Sequence, residues 1–222
     1  MLKYKNTELI FKDRTHAGEM LADKLTSYKL LNPVVVGLPR GGVAVAKPVS
    51  DRLGVKQDII VSKKIGVPGN PELAIGAVTS HGDYVISSFV NYELGEKKWD
   101  YLQKQIVYLI NDCRERELKY LSTKHPLTTN DYFKNKDVIL VDDGTATGMT
   151  AMAAIKSIKK QLPSSLILAI PVISIQAYEE IINQVDEIES LKIPKDFVAV
   201  SLHYASFEAI TDDEIKSMLG VC

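Results

Sequence analysis

Residues 138–150 read VILVDDGTATGMT, and no other stretch restricts the fold as much. An apolar run from Val138 to Val141 ends in two adjacent carboxylates, Asp142 and Asp143. A loop of Gly144, Thr145, Ala146, Thr147 and Gly148 follows, and a helical pattern begins beside Thr150. This is the order of a buried strand, a loop at its C-terminal end, and a helix whose N-terminus faces the loop. In open α/β sheets, ligands bind at that place.

The flanking sequence repeats the alternation. Asp13 or Thr15 caps a first helix through Leu25, with Ala17, Leu21 and Leu25 on one face. Val34, Val35 and Val36 form a β-branched run suited to a strand buried on both sides. The loop GLPRGG, 37–42, leads into a helix to about Leu53, which Pro48 is expected to kink. Ile59, Ile60 and Val61 read as a second strand, and 63–71 as a loop, because Gly66, Pro68, Gly69 and Pro71 punctuate it. Residues 73–78 and 84–86 flank SHGD and predict a hairpin. From 92 to 121 the pattern is helical, with Trp99, Leu102, Ile106, Leu109 and Cys113 on a packing face. A loop covers 126–130, and a strand over 166–170 is expected to stop at Pro171. Residues 197–200 read as a strand, and TDDE at 211–214 as a capping box opening a helix that ends at Gly220. The alternation predicts an α/β fold on a parallel sheet with right-handed crossovers.

At 222 residues the chain fits one large α/β domain, or one domain with an added subdomain. Its net charge of −1 and lack of a long basic run argue against a nucleic-acid partner. Cys113 and Cys222 have no metal-ligand spacing and read as free thiols. The start, MLKYKNTELIFKDR, is too polar for a signal peptide, and no apolar run is long enough to span a bilayer. The expectation is a cytoplasmic protein with no membrane partner.

Gly144 and Gly148 permit tight turns, so several N–H groups can converge on one anion. Thr145, Thr147 and Thr150 add hydroxyls, and the helix start adds its positive end. The result is a monophosphate cradle without a lysine. Asp142 and Asp143 beside it are suited to the vicinal hydroxyls of a ribose. The segment is not a Walker loop, since no Gly-Lys-Ser/Thr follows. A haloacid-type phosphatase would place its nucleophilic Asp two residues before the second Asp, where this chain has Val141. A receiver-type acid pair has no use for the hydroxyl-rich loop. Arg40, in the 37–42 loop, presents a planar fork of donors suited to pyrophosphate oxygens.

VILVDDGTATGMT closely resembles the phosphoribosyl pyrophosphate (PRPP) signature of type I phosphoribosyltransferases. FKDRTHAGEMLADKL, GLPRGGVAVA, KKIGVPGNPELAIGAV, the RERE stretch from Arg114 and HYASFEAITDDEI extend the likeness nearly end to end, toward a bacterial phosphoribosyltransferase group. The resemblance implies a Rossmann-like phosphoribosyltransferase fold, a parallel sheet with flanking helices and a small hood from the chain termini. It makes 1–222 a single domain, with 1–28 and 196–222 contributing to the hood and 90–122 a long helical insertion. It gives Asp142 and Asp143 to the ribose hydroxyls. Gly144, Thr145, Ala146, Thr147, Gly148 and Thr150 go to the 5′-phosphate, largely through backbone N–H groups. Leu38, Pro39, Arg40 and Gly41 become the pyrophosphate loop, with a strained or cis peptide near Leu38 or Arg40. Lys63 and Lys64 begin a mobile loop that closes over PRPP, and together with Arg40 they neutralise the leaving group. Mg²⁺ is implied as cofactor, held by PRPP oxygens, with Asp142 and Asp143 reaching it through water.

The expected substrates are PRPP and a nitrogenous acceptor, and the expected assembly a homodimer. In hypoxanthine–guanine enzymes an Asp stands where this chain has Ala146, and a Lys follows the next strand where it has Pro171, Val172 and Ile173. The sequence therefore points away from 6-oxopurines. Phe11, Tyr204 and Phe207 are candidates for stacking on the acceptor or for packing the termini. His203 reads as an acceptor contact or a surface residue, and Arg14 as an acceptor contact or a structural partner near Asp13. A non-catalytic PRPP- or nucleotide-binding regulator is the alternative on the same fold, and an assembly module built on the long helix is a third.

Overall fold

The three valines of the first strand divide between two cores. Val34 and Val36 join one, and Val35 joins the other, as alternate residues of a strand must. The computed structural model describes residues 10–88, 90, 98–121 and 131–221. In chain order its elements are α1 (Arg14–Leu25), β1 (Pro33–Gly37), α2 (Gly41–Leu53), β2 (Gln57–Ile59), β3 (Ser62–Val67), β4 (Asn70–Thr79) and β5 (Tyr84–Ile86). There follow α3 (Lys98–Leu121), β6 (Asp137–Val141), α4 (Met149–Lys159), β7 (Ser165–Val172), α5 (Ile175–Ile181), β8 (Glu187–Lys192), a 3-10 turn (Val200–His203) and α6 (Asp212–Met218).

Five strands make a parallel sheet in the order β2-β1-β6-β7-β8. On one face Val138, Leu140, Leu166, Leu168 and Ile170 pack beneath α4 and α5. On the other, Ile139, Val141, Ile167 and Ala169 pack beneath α1 and α2. This two-sided burial is why the strands read as unbroken apolar runs. From β1 the chain crosses to β2 on one side, while β7 and β8 build outward from β6 on the other. Gly37 pairs with Val141 at this switch point, so the loops after β1 and β6 open into one crevice.

A second, antiparallel sheet has the order β3-β4-β5. Here the structure corrects the sequence reading, because 63–71 is a hairpin and not a loop. Its breakers serve the hairpin: the register shifts around Gly66, and Pro68 and Gly69 form the turn. Ile60 and Val61 fall outside β2, whose pairing ends at Ile59. This sheet, α3 and α6 enclose a third core with Ile65, Ile75, Val78, Leu102, Cys113, Tyr120 and Ile215. Burial pushes the Cys113 thiol up to about 12, so it stays protonated.

Other boundaries also move. β7 runs through Pro171 to Val172, because its pairing with β8 resumes at Val172 opposite Lys192. Residues 197–200 do not form a strand; the segment turns through a 3-10 helix and touches the N-terminal segment at one bridge, Phe11 to Tyr204. α2 continues past Pro48. Asp13, not Thr15, caps α1, accepting from His16 N at 2.8 Å. The capping box of Thr211 and Glu214 forms as expected. Trp99 is 61% exposed, outside the packing face assigned to it. The expected helix over 92–97, the 126–130 loop, hood residues 1–9 and Cys222 lie outside the described residues. No helix among the described residues is long and apolar enough to cross a membrane.

Candidate active site

The loop after β1 is bound to the loop after β6 by its own backbone. Leu38 N–H donates to Val141 O at 2.9 Å, and Gly42 N–H returns to Leu38 O at 2.9 Å. Leu38 is buried and anchors the turn, and the Pro39–Arg40 peptide is cis. A Cβ on Gly41 would stand 1.8 Å from Asp143 Oδ2, so only glycine lets this backbone lie against the carboxylate. The N–H groups of Arg40 and Gly41 have no hydrogen-bond partner among the described residues and border the crevice.

The two acids have different surroundings. Asp142 Oδ1 accepts from Asp143 N–H at 2.9 Å, and burial followed by the Asp143 charge raises the Asp142 carboxyl well above its ordinary range. Asp143 Oδ2 accepts from Arg14 Nε at 2.8 Å, with side chains 15% and 13% exposed. Burial raises Asp143 too, and Arg14 opposes the rise. Arg14 also donates to Glu208 O at 2.8 Å and lies 3.7 Å over the Phe207 ring. Tyr204 donates its hydroxyl to Asp143 O at 2.5 Å and packs between Phe11 and Phe207, with ring centres 5.2 and 5.0 Å away. Burial raises the Tyr204 phenol and keeps it a donor. The segments around Phe11 to Arg14 and Tyr204 to Glu208 thus meet beside the acid pair.

The structure divides the phosphate-loop residues into braces and donors. Thr145 N–H goes to Val172 O at 3.1 Å, and Gly148 N–H goes to Thr145 Oγ1 at 3.0 Å. Those two N–H groups are spent inside the loop. Gly148 holds φ at 70° as the residue before α4, a conformation glycine takes freely. The N–H groups of Ala146, Thr147, Met149 and Thr150 make no hydrogen bond among the described residues. They lie at the positive end of α4, where free N–H groups can hold an anion. Sequence reasoning missed Met149, because nothing in its side chain signals a backbone role. It also missed Ser174, whose hydroxyl donates to Ala146 O at 2.5 Å and whose N–H donates to Thr145 O at 3.0 Å. The signal was present: a serine just before a helical pattern is an N-cap, and here it accepts from Ala177 N–H at 3.0 Å.

Lys63 and Lys64 are separated by strand alternation. Lys63 turns to α3 and pairs with Asp112. Lys64 is exposed on the other side, and its charge opposes the rise of the Asp142 carboxyl that burial causes. Ser62, at the head of β3, bonds Val78 O at 2.9 Å and keeps its hydroxyl 3.3 Å from Thr150 O, which sets this edge beside the start of α4. Phe11 is fully buried and Tyr204 nearly so, and both act as packing here; Phe207 is half-buried. Arg14 serves Asp143 and not the surroundings of Asp13. His203 is buried rather than on the surface, and its imidazole pKa is lowered by burial and then by Lys192.

A family model described as phosphoribosyl transferase domain matches residues 10–205. Two Mycobacterium tuberculosis proteins, "Putative phosphoribosyl transferase MT0597" and "Putative phosphoribosyl transferase Rv0571c", are each 34% identical over 213 residues. The match takes in 95% of this chain and 46% of theirs, so the chain spans about half the length of these curated relatives. The crystal structure of TT1426 from Thermus thermophilus is 36% identical, covers 95% of this chain and 98% of its own, and superposes with a TM-score of 0.77. The chain belongs to the phosphoribosyl transferase domain family.

Proposed function

We propose that the protein transfers the 5-phosphoribosyl group from PRPP to a nitrogenous acceptor, releasing pyrophosphate. The observation that carries this reading is the placement of unpaired N–H groups on both sides of the acid pair. Ala146, Thr147, Met149 and Thr150 form one cradle, and Arg40 and Gly41 the other. A sugar phosphorylated at both ends fits between them, its hydroxyls toward Asp142 and Asp143. Arg40 and Lys64 carry the charge for the leaving diphosphate. Lys63, paired with Asp112, acts in packing β3 on α3.

The residues also fit Mg²⁺. Among the described residues no group of three His, Cys, Asp or Glu could form a protein cage. Asp142 and Asp143 would face, at one remove, an ion held by substrate oxygens and water. When bound, Mg²⁺ would stabilise the negative charge growing on the diphosphate.

Phe207, stacked on Arg14, is the aromatic surface for the acceptor, backed by Tyr204 and Phe11. Ala146 and the Pro171, Val172, Ile173 run place hypoxanthine and guanine outside the expected acceptors. The test is pyrophosphate release from PRPP with Mg²⁺ across a panel of nucleobases and amines. Turnover with one acceptor and none with 6-oxopurines is expected. Tight PRPP binding with no turnover on any acceptor would replace this reading with a regulatory one.

A further inference from the structure

Six cations are placed around or behind the crevice, and three of them have their anion. Arg14 is held by Asp143, Lys63 by Asp112, and Lys119 by Asp212. Arg40, Lys64 and Arg116 have no ion pair among the described residues. Arg40 and Lys64 are exposed, and water solvates them. Arg116 is half-buried on α3, where hydration is reduced and no anion among the described residues pairs with it.

Its position follows from helix geometry. Asp112, Arg116 and Tyr120 stand four residues apart and share one face of α3. Both ends of that row are fixed. Asp112 is tied to Lys63 at the start of β3, and Tyr120 donates to Asp212 Oδ1 at 2.9 Å at the start of α6. Arg116 stands between them, one turn from each. α6 packs on α2, the helix that follows Arg40. Arg40 stands immediately before α2, and Arg116 stands one turn before Tyr120, whose hydroxyl is bound to Asp212 at the start of α6. Two acids at the ends of this row are taken: Asp112 by Lys63, and Asp212 by Lys119 and Tyr120. A half-buried guanidinium without an ion pair gains most from a ligand anion of high charge.

We infer that Arg116, carried on the long helix α3, is a further contact for the diphosphate end of the donor, beside Arg40 and Lys64. This rests on reading the crevice as a PRPP site. It gives α3 a task in binding as well as in packing. An Arg suits it because the planar fork engages two phosphoryl oxygens at once.

Calorimetric titration with inorganic pyrophosphate in Mg²⁺, and separately with ribose 5-phosphate, tests the inference in wild type, Arg116→Met and Arg116→Lys. In Arg116→Met the pyrophosphate Kd should rise at least about tenfold, while the ribose 5-phosphate Kd stays within about twofold. Arg116→Lys, which keeps charge without the fork, should fall between. Ligand-free Arg116→Met should melt at or above wild type, because an unpaired cation has been removed from a half-buried place. Wild-type pyrophosphate affinity in Arg116→Met, with ribose 5-phosphate still bound, overturns the role of Arg116 and leaves the donor site standing. A wild-type protein that binds neither ligand overturns the donor site and this inference together.

Discussion

Arg14 Nε lies 2.8 Å from Asp143 Oδ2, and the same guanidinium covers the Phe207 ring at 3.7 Å. One side chain thus links an acid of the crevice to the C-terminal segment, which it also holds through Glu208 O at 2.8 Å. Truncation would leave Asp143 beside Asp142 with its cation gone. We predict that Arg14→Ala loses about 2–3 kcal/mol of stability, because one partner of a mostly buried ion pair is removed. Arg14→Lys should recover less than half, lacking the fork and the flat face over Phe207. Denaturant unfolding measures both, and full recovery by lysine would show that charge alone matters.

Asp142 gives a pH prediction of the opposite kind. Burial first, and Asp143 second, raise its carboxyl well above the ordinary range. A carboxyl raised on folding contributes stability below its unfolded value of about 4 and loses it as pH rises through the folded value. At neutral pH the ligand-free protein therefore bears a cost at the poorly solvated Asp142 that the unfolded chain does not. We predict that Asp142→Asn melts about 2–4 °C above wild type at pH 7, with the gap closing toward pH 4. Ribose 5-phosphate binding should move the other way, weakening at least about tenfold as the ribose hydroxyls lose a charged acceptor. Calorimetric scans at the two pH values, with binding at pH 7, decide it. Equal melting temperatures at pH 7 would remove the argument.

What the sequence made legible is local. The valines of β1 and the run before Asp142 state two-sided burial directly, and the glycines around Asp142 mark where backbone must come close. The hairpin of β3 and β4 was not legible, because Gly66, Pro68 and Gly69 are breakers in isolation and become a bulge and a turn once β4 pairs across them. Nor could the loop sequence say which of its N–H groups were spent. Thr145 gives its N–H to Val172 on another strand. Arg14 and Asp143 are 129 residues apart, and nothing at either position names the other.

Ser174 should matter to the cradle without touching any ligand. Its hydroxyl both caps α5 and ties down Ala146 O. We predict that Ser174→Ala destabilises the protein by about 1 kcal/mol, the usual loss for a helix N-cap. It should also weaken ribose 5-phosphate binding about fivefold, since a looser loop aims its N–H groups less well. Ser174→Thr keeps the hydroxyl and should restore binding. If threonine restores stability but not binding, the brace on Ala146 O is not what orders the cradle.

Lys63 and Lys64 are neighbours in sequence with opposite roles in space, and their variants should separate. Lys63 holds Asp112 with both side chains partly exposed, so a double-mutant cycle with Asp112→Ala should give a coupling of about 0.5 kcal/mol. PRPP affinity in Lys63→Ala should change by less than about threefold, since that charge is already paired. Lys64→Ala should leave stability within about 0.5 kcal/mol of wild type, as expected for an exposed side chain. Its PRPP affinity should fall about tenfold, with a shallower dependence on salt, because a charge facing a polyanion has been lost. Denaturation and PRPP titration at two ionic strengths supply all four quantities. If Lys63→Ala loses the affinity and Lys64→Ala keeps it, the alternation of β3 does not set which lysine reaches the donor.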